Sequence, residues 1–192
     1  MEKRDCTVIV PTRCGANLLP LPLAHLEVQT FPSARFEVIV VDYGDASRPA
    51  DLLERYSAGA PVRTRCLSLP QSTAARARNY AAELAEGRWL LFLDQDLLPD
   101  ARFIESHVGA QERYAGCACV MGETHPHLRL RNDVLTRWFL PENNRSSLQK
   151  KEPRFFECAA HNLSIPKALY LESRGLYESY LASRFAITDL MI

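Results

Sequence analysis

Four short apolar runs punctuate the first half of the chain: CTVIVPT (6–12), FEVIVVD (36–42), the weaker VRTRCLSL (62–69) and WLLFLD (89–94). Near-continuous apolarity over so few residues predicts strands buried on both faces, as in a parallel sheet. Helical spacing fills the gaps. NLLPLPLAHLEVQT (17–30) has prolines near its start and apolar positions after them, and RPADLLERYSAG (48–59) closes on Gly59, a C-cap residue. STAARARNYAAELAEG (72–87) starts on a Ser/Thr cap and stops at Gly87. Its Ala74, Ala77, Ala81, Leu84 and Ala85 form a narrow apolar stripe for packing on a sheet. The order β-α-β-α-β-α-β over the first 94 residues predicts an α/β fold with a mostly parallel central sheet flanked by helices and right-handed crossovers.

The second half is less regular. DARFIESHVGAQERY (100–114) reads as a helix, CACVMGET (117–124) as a strand and RFFECAAHNLSI (154–165) as another strand. Pro166 then suits the first turn of a helix to about 172. Residues 125–154 are basic and interrupted by prolines, with seven Lys or Arg against three acids. They read as a solvated loop or as a lid over a bound anion, with 141–153 the most loop-like part. No repeat, low-complexity segment or composition shift marks an internal boundary, so the 192 residues read as one domain.

Composition excludes more than it assigns. The formal net charge is zero, which argues against nucleic acid as a partner and against a charged membrane surface. No apolar run reaches the roughly 18 residues of a membrane span, and MEKRDCTVIVPT has no h-region of a leader peptide. The six cysteines, at 6, 14, 66, 117, 119 and 158, form no C-x-x-C pair. They read as small core thiols in a reducing compartment, which makes the cytoplasm the expected location. Cys117 and Cys119 on one strand face keep a metal site open as a second reading.

Chemistry enters where the strands end. Ligands of open α/β sheets bind beyond the carboxyl ends of the strands. Here those ends carry Pro11-Thr12-Arg13, Asp42-Tyr43-Gly44-Asp45 and Asp94-Gln95-Asp96. There is no G-x-G-x-x-G after the first strand, no Walker A sequence and no G-x-S-x-G elbow. Asp94 and Asp96 are one residue apart, so an extended strand end would aim both the same way. Mg²⁺ or Mn²⁺ takes one or two protein carboxylates and completes its shell with phosphate oxygens and water. A dication shared with a diphosphate would relieve the repulsion of the pair. A solvated turn with a helix cap is the plainer reading of the same acids.

Four ordered motifs widen the context. PTR follows the first strand, DYGD the second, ARN lies in the third helix, and GRWLLFLDQD closes the fourth strand. In that order they resemble glycosyltransferase family 2, the inverting nucleotide-sugar transferases of GT-A fold. The likeness runs from VIVPTR to the last residues, with a gap across 125–153. It implies one GT-A domain over 1–192, with a nucleotide-binding half at 1–98 and an acceptor-side half at 99–192. Family members usually continue past the position of Ile192, so that half could be cut short.

The resemblance also implies roles. Asp42 would hydrogen-bond the nucleobase or its ribose, and Pro11, Thr12 and Arg13 would line the base pocket. Arg78, or Arg76, would approach the nucleotide. Asp94 would contact the ribose or support the metal through water, and Asp96 would ligate the Mg²⁺ or Mn²⁺ that carries the leaving diphosphate's charge. RGLYESYLASRFAITDLMI (174–192) resembles the family's acceptor loop and base motif. It makes Asp189 the candidate general base and Glu178 an acceptor-side residue, although Thr188 stands where the family has glutamate. An N-cap on a final helix is the alternative for Asp189. His161 and Asn162 are further acceptor-side candidates, with a backbone-satisfied histidine the alternative for the first. His125-Pro126-His127 reads as a surface turn. The implied partners are a nucleotide-sugar donor, most commonly a UDP-sugar in this family, and an acceptor the sequence does not identify. Two rival readings stay open: a nucleotidyltransferase of similar sheet, and a binding module that never turns its ligand over.

Overall fold

The computed structural model describes residues 4–13, 18–44, 61–114, 119–125 and 160–175. These residues form a six-stranded sheet in the order β3-β2-β1-β4-β6-β5. Its strands are β1 (Cys6–Thr12), β2 (Phe36–Asp42), β3 (Thr64–Ser68), β4 (Trp89–Leu93), β5 (Val120–Met121) and β6 (Asn162–Pro166). The helices are α1 (Pro20–Glu27), α2 (Ala74–Leu84), α3 (Phe103–Arg113) and α4 (Lys167–Glu172), with a 3₁₀ turn at Ser33–Arg35. β1, β2, β3 and β4 run parallel, whereas β6 is antiparallel to both β4 and β5. None of the described helices is long and apolar enough to cross a membrane.

The apolar runs become strands because both faces are covered. Every residue of β1, β2 and β4 is buried. Alternation then splits each strand between two cores. Cys6, Val8 and Val10 face α1 and α3 with Phe36, Val38, Val40, Trp89, Leu91 and Leu93. Ile9, Ile39, Val41, Leu90 and Phe92 face α2 and Tyr170. The alanines of α2 make that second layer thin: of the expected stripe Ala77, Ala81 and Ala85 are buried, joined by Ala75 and Ala82, whereas Ala74 is half-buried and Leu84 is exposed. Thr73 caps this helix, its hydroxyl accepting from the Arg76 N–H at 3.1 Å.

Several expected boundaries move. α1 is shorter than the 17–30 pattern, and α2 stops at Leu84, short of Gly87. Gly87 instead allows the chain to cross β1 closely; a Cβ there would run into the backbone of Cys6 and Thr7. β5 keeps only Val120–Met121 of the expected 117–124 strand. β6 extends through Pro166, which ends the strand and leaves the helix to begin at Lys167. The helix expected at 48–59, the 126–154 basic stretch and the start of the 154–165 strand lie outside the described residues.

The cysteine expectation is corrected in part. Cys6 is buried, and burial pushes its thiol well above the usual range. Cys66 and Cys119 are exposed, because β3 is a sheet edge and Cys119 precedes the short β5. Cys6 and Cys66 are free thiols, and Cys14, Cys117 and Cys158 lie outside the described residues.

Candidate functional site

The parallel register brings three strand ends to one rim. Thr12 stands beside Asp42. Cys6 pairs with Trp89 and Ile9 with Phe92, a register that continues to place Thr12 beside Gln95. The Thr12 hydroxyl donates to Gln95 Oε1 at 2.5 Å. Gln95, to which the sequence assigned no task, thus ties the acid-bearing turn to the end of β1. Pro11 and Thr12 are buried, whereas Arg13 is exposed at the mouth of the rim.

Asp42 is 3% exposed, and its Oδ1 accepts from the Gly44 N–H at 3.0 Å. That local turn, together with Tyr43 N–H donating to the Thr12 carbonyl at 3.0 Å, fixes the loop after β2 against β1. Tyr43 is half-buried between these groups. Burial is the main reason its hydroxyl stays protonated above the usual tyrosine range; Arg78 and Arg13 pull the other way, while Asp94 and Asp42 add to the rise. A tyrosine in this place was not foreseen, and its only sequence signal was its position directly after Asp42. Asp45 lies outside the described residues.

The two acids after β4 differ. β4 ends at Leu93, and Asp94 to Leu97 form a turn closed by the Leu97 N–H on the Asp94 carbonyl at 3.1 Å. The expected extended end with both carboxylates aimed alike is therefore replaced by a turn. Asp94 is committed to Arg78, whose Nη2 donates to its Oδ1 at 2.5 Å. The Arg78 side chain is only 3% exposed, against 33% for Asp94. The thin alanine layer of α2 is what lets a buried arginine reach the rim. Arg76, two residues earlier, is exposed on the other side of the helix. Asp96 is exposed, and among the described residues no hydrogen bond or ion pair engages its carboxylate.

This donor set was tested against a divalent ion. Among the described residues no group of three or more His, Cys, Asp or Glu could hold a metal. The rim thus offers an exposed carboxylate and an arginine-paired one, which suits Mg²⁺ or Mn²⁺ only when a ligand such as a diphosphate supplies more oxygens.

At the entry to β6, the Asp94 N–H donates to the His161 carbonyl at 3.1 Å, so β6 starts directly beside the acid turn. The His161 side chain is half-buried there. Asn162 is used internally: its Oδ1 meets His107 Nε2 at 3.0 Å and its Nδ2 donates to the Glu123 carbonyl at 3.2 Å. Asn79, adjacent to Arg78, accepts from the Tyr170 hydroxyl at 2.6 Å and ties α2 to α4. His125 pairs with Glu123 at 3.2 Å on the surface. Glu178 and Asp189 lie outside the described residues.

Comparison with known proteins agrees with this geometry. The family model described as glycosyl transferase family 2 matches residues 7–170. The poly(ribitol-phosphate) beta-N-acetylglucosaminyltransferase TarS of Staphylococcus aureus is 32% identical over 108 residues, which are 53% of this chain and 19% of that protein. Validoxylamine A glucosyltransferase of Streptomyces hygroscopicus subsp. jinggangensis is 30% identical over 142 residues, 71% of this chain and 33% of that one. The chain thus spans a third or less of these relatives. Among solved structures, S. aureus TarS 1–349 superposes with a TM-score of 0.71 at 20% identity, over 91% of this chain and 51% of that one. A mannosyltransferase from Pyrobaculum calidifontis, in complex with GDP-Man and Mn²⁺, gives 0.70 at 18%, over 93% and 49%. At these identities the superpositions speak for the GT-A fold.

Proposed function

We propose that this chain, which belongs to glycosyl transferase family 2, moves a sugar from a nucleoside-diphosphate donor to a hydroxyl acceptor with inversion, using Mg²⁺ or Mn²⁺. The observation that carries the proposal is the rim itself. A buried Asp42, an Arg78–Asp94 ion pair and an exposed Asp96 converge where three parallel strands end. A UDP-sugar is the first donor to test, because TarS 1–349 has been crystallised with UDP and with UDP-GlcNAc.

In this reading Asp42 takes the base or ribose, held rigid by its bond from Gly44, and Pro11, Thr12 and Arg13 line the pocket beside it. Arg78 holds Asp94 in place and lowers the local negative charge, so that a diphosphate can approach. Asp96, with Asp94 behind it, would hold the dication, which when bound neutralises charge on the departing diphosphate. Asp189 accepts the acceptor's proton as its oxygen attacks the anomeric carbon. The bond from that carbon to the phosphate oxygen breaks on the opposite face, and nucleoside diphosphate leaves. His161, Asn162 and Glu178 belong to the acceptor side. The halves 1–98 and 99–192 would thus divide donor from acceptor within one domain. The cytoplasm is the proposed setting, where the thiols of Cys66 and Cys119 would stay reduced.

A thermal-shift panel tests this directly. UDP, UDP-GlcNAc and GDP-mannose are each added with and without Mn²⁺, since a ligand bound only by the folded state raises its stability. The expected result is stabilisation by a nucleoside diphosphate that needs Mn²⁺ and disappears in Asp96→Asn. Release of pyrophosphate from a nucleoside triphosphate and sugar phosphate would instead favour a nucleotidyltransferase.

A further inference from the structure

Between α3 and the β5–β6 pair lies a buried chain of hydrogen bonds with no charged side chain in it. Gln111 Nε2 donates to the Ser164 carbonyl at 2.9 Å and to Ser164 Oγ at 3.0 Å. Ser164 Oγ meets His107 Nδ1 at 2.9 Å, and His107 Nε2 meets Asn162 Oδ1 at 3.0 Å. Asn162 Nδ2 then donates to the Glu123 carbonyl.

Donor and acceptor chemistry leaves one assignment. A backbone carbonyl only accepts, so the Asn162 nitrogen must face Glu123 and its oxygen must face His107. The histidine proton therefore sits on Nε2. Nδ1 then accepts from the Ser164 hydroxyl, whose oxygen is already taken as acceptor by Gln111. Gln111's orientation is set in the same way by the Ser164 carbonyl. Every bond runs in one direction, from Gln111 to Glu123. A second proton on His107 would leave the Ser164 hydroxyl without its acceptor.

Register gives this chain a consequence. Val120 pairs with Ser164 and Met121 with Leu163, while Leu91, Phe92 and Leu93 pair with Ser164, Leu163 and Asn162. The Gly122 N–H donates to the Asn162 carbonyl at 2.9 Å, so Gly122 lies level with Leu93 and Glu123 level with Asp94. A Cβ at Gly122 would run into the Asn162 carboxamide and push it from its present place. The same strand start holds Asp94 through the His161 carbonyl. One carboxamide thus fixes where β5 leaves the sheet and where β6 enters it, on either side of the acid turn's acceptor flank.

We propose that His107 is a positioning residue for the transfer reaction: neutral and protonated on Nε2, it locks Asn162 and so sets residues 122–125 and His161 beside Asp94. This rests on the functional reading above for the reaction, and on geometry alone for the clamp. Burial holds His107 below the usual histidine range, with the Asn162 bond opposing that shift. The groups facing the ring's side of the sheet are Trp89, Leu91 and Leu93 from β4, Val120 from β5, Asn162 and Ser164 from β6, and Phe103 and Gln111 from its own helix. None of them titrates. The Glu123 carboxylate, the nearest acid on the clamped segment, is paired with His125.

The test uses the full chain labelled with ¹⁵N-histidine. NMR should show the Nε2–H tautomer for His107 and a titration midpoint below the ordinary value of about 6.5. The Nδ1–H tautomer, or an ordinary midpoint, would overturn the proposal. Two variants add a functional readout. His107→Gln keeps one donor and one acceptor, whereas His107→Phe keeps neither. Release of UDP from UDP-GlcNAc with Mn²⁺ should fall about tenfold or more in His107→Phe while the affinity for UDP stays within about twofold. His107→Gln should restore turnover. Equal loss in both variants, or full turnover in His107→Phe, would count against the clamp. Should the wild type not turn over UDP-GlcNAc, the donor assignment fails on its own. Amide exchange at Gly122 then decides the clamp: about tenfold faster in His107→Phe and unchanged in His107→Gln supports it, and unchanged in both overturns it.

Discussion

The two ends of the same sheet treat their acids in opposite ways. At the amino end Glu37 is fully buried on β2, and one of its oxygens is held by two donors. The Thr7 hydroxyl and the Glu86 N–H donate to its Oε1 at 3.0 and 2.7 Å, and Arg65 lies 3.5 Å from its Oε2. Thr7 in turn accepts from the Gly87 N–H at 2.9 Å, and Glu86 is paired with Arg4 and Arg63. At the carboxyl end Asp94 is paired with Arg78 and stays 33% exposed, and Asp96 stands exposed. A buried carboxylate with two donors fixed on one oxygen and an arginine near the other does structural work; an exposed one beside an ion pair is open to a ligand. The difference between anchoring and binding thus lies in how many protein partners each acid already has.

That contrast can be broken experimentally, and the amino end should give the largest effect. Glu37→Ala leaves the Thr7 hydroxyl and the Glu86 N–H without their acceptor and removes the ion pair with Arg65, so it should cost about 3 kcal/mol or more of stability in urea unfolding. Binding of UDP and Mn²⁺ at moderate temperature should be unchanged. A comparable loss of UDP binding would mean that the two ends are not independent. Next comes Asp96→Asn, expected to reduce Mn²⁺-dependent UDP release about a hundredfold with an unchanged melting temperature. If it melts much earlier, Asp96 is an anchor after all and the contrast collapses.

Smaller effects sharpen the picture at the rim. Thr12→Val removes the donor to Gln95 and should cost about 1 kcal/mol, with weaker Mn²⁺ dependence of UDP binding by titration calorimetry. Thr12→Ser should restore it. The smallest effect is a pH slope from His107. Its folded pKa is depressed, so its contribution is complete above the unfolded value of about 6.5. It declines as pH falls from there toward the lower folded value. Urea unfolding across that window should show stability rising with pH in the wild type and a shallower slope in His107→Gln.

Much of the geometry of the parallel strands and their rim was legible in the residues. β1, β2 and β4 announce themselves because burial on both faces leaves uninterrupted apolar runs, and the Thr73 cap and alanine stripe mark α2. Three rim motifs follow once those strands are parallel. The β5–β6 region was harder to read. Both read as strands, but β5 keeps two residues of 117–124 and β6 runs through polar Asn162 and Ser164 to Pro166, so their limits do not follow the apolar runs. Their polar positions make sense only against His107 and Gln111, some fifty residues away in sequence.

Sequence alone therefore determined the layer order, the two-sided core and which acids meet at the rim, because burial periodicity is local and strand ends inherit their position from the strands. Only the tertiary structure decided how those acids differ. The pairing of Arg78 with Asp94, the bond from Thr12 to Gln95 and the turn that exposes Asp96 depend on how close α2 and β1 come to the end of β4. Partner counts of this kind are set by packing across the sheet, and no spacing along the chain encodes them.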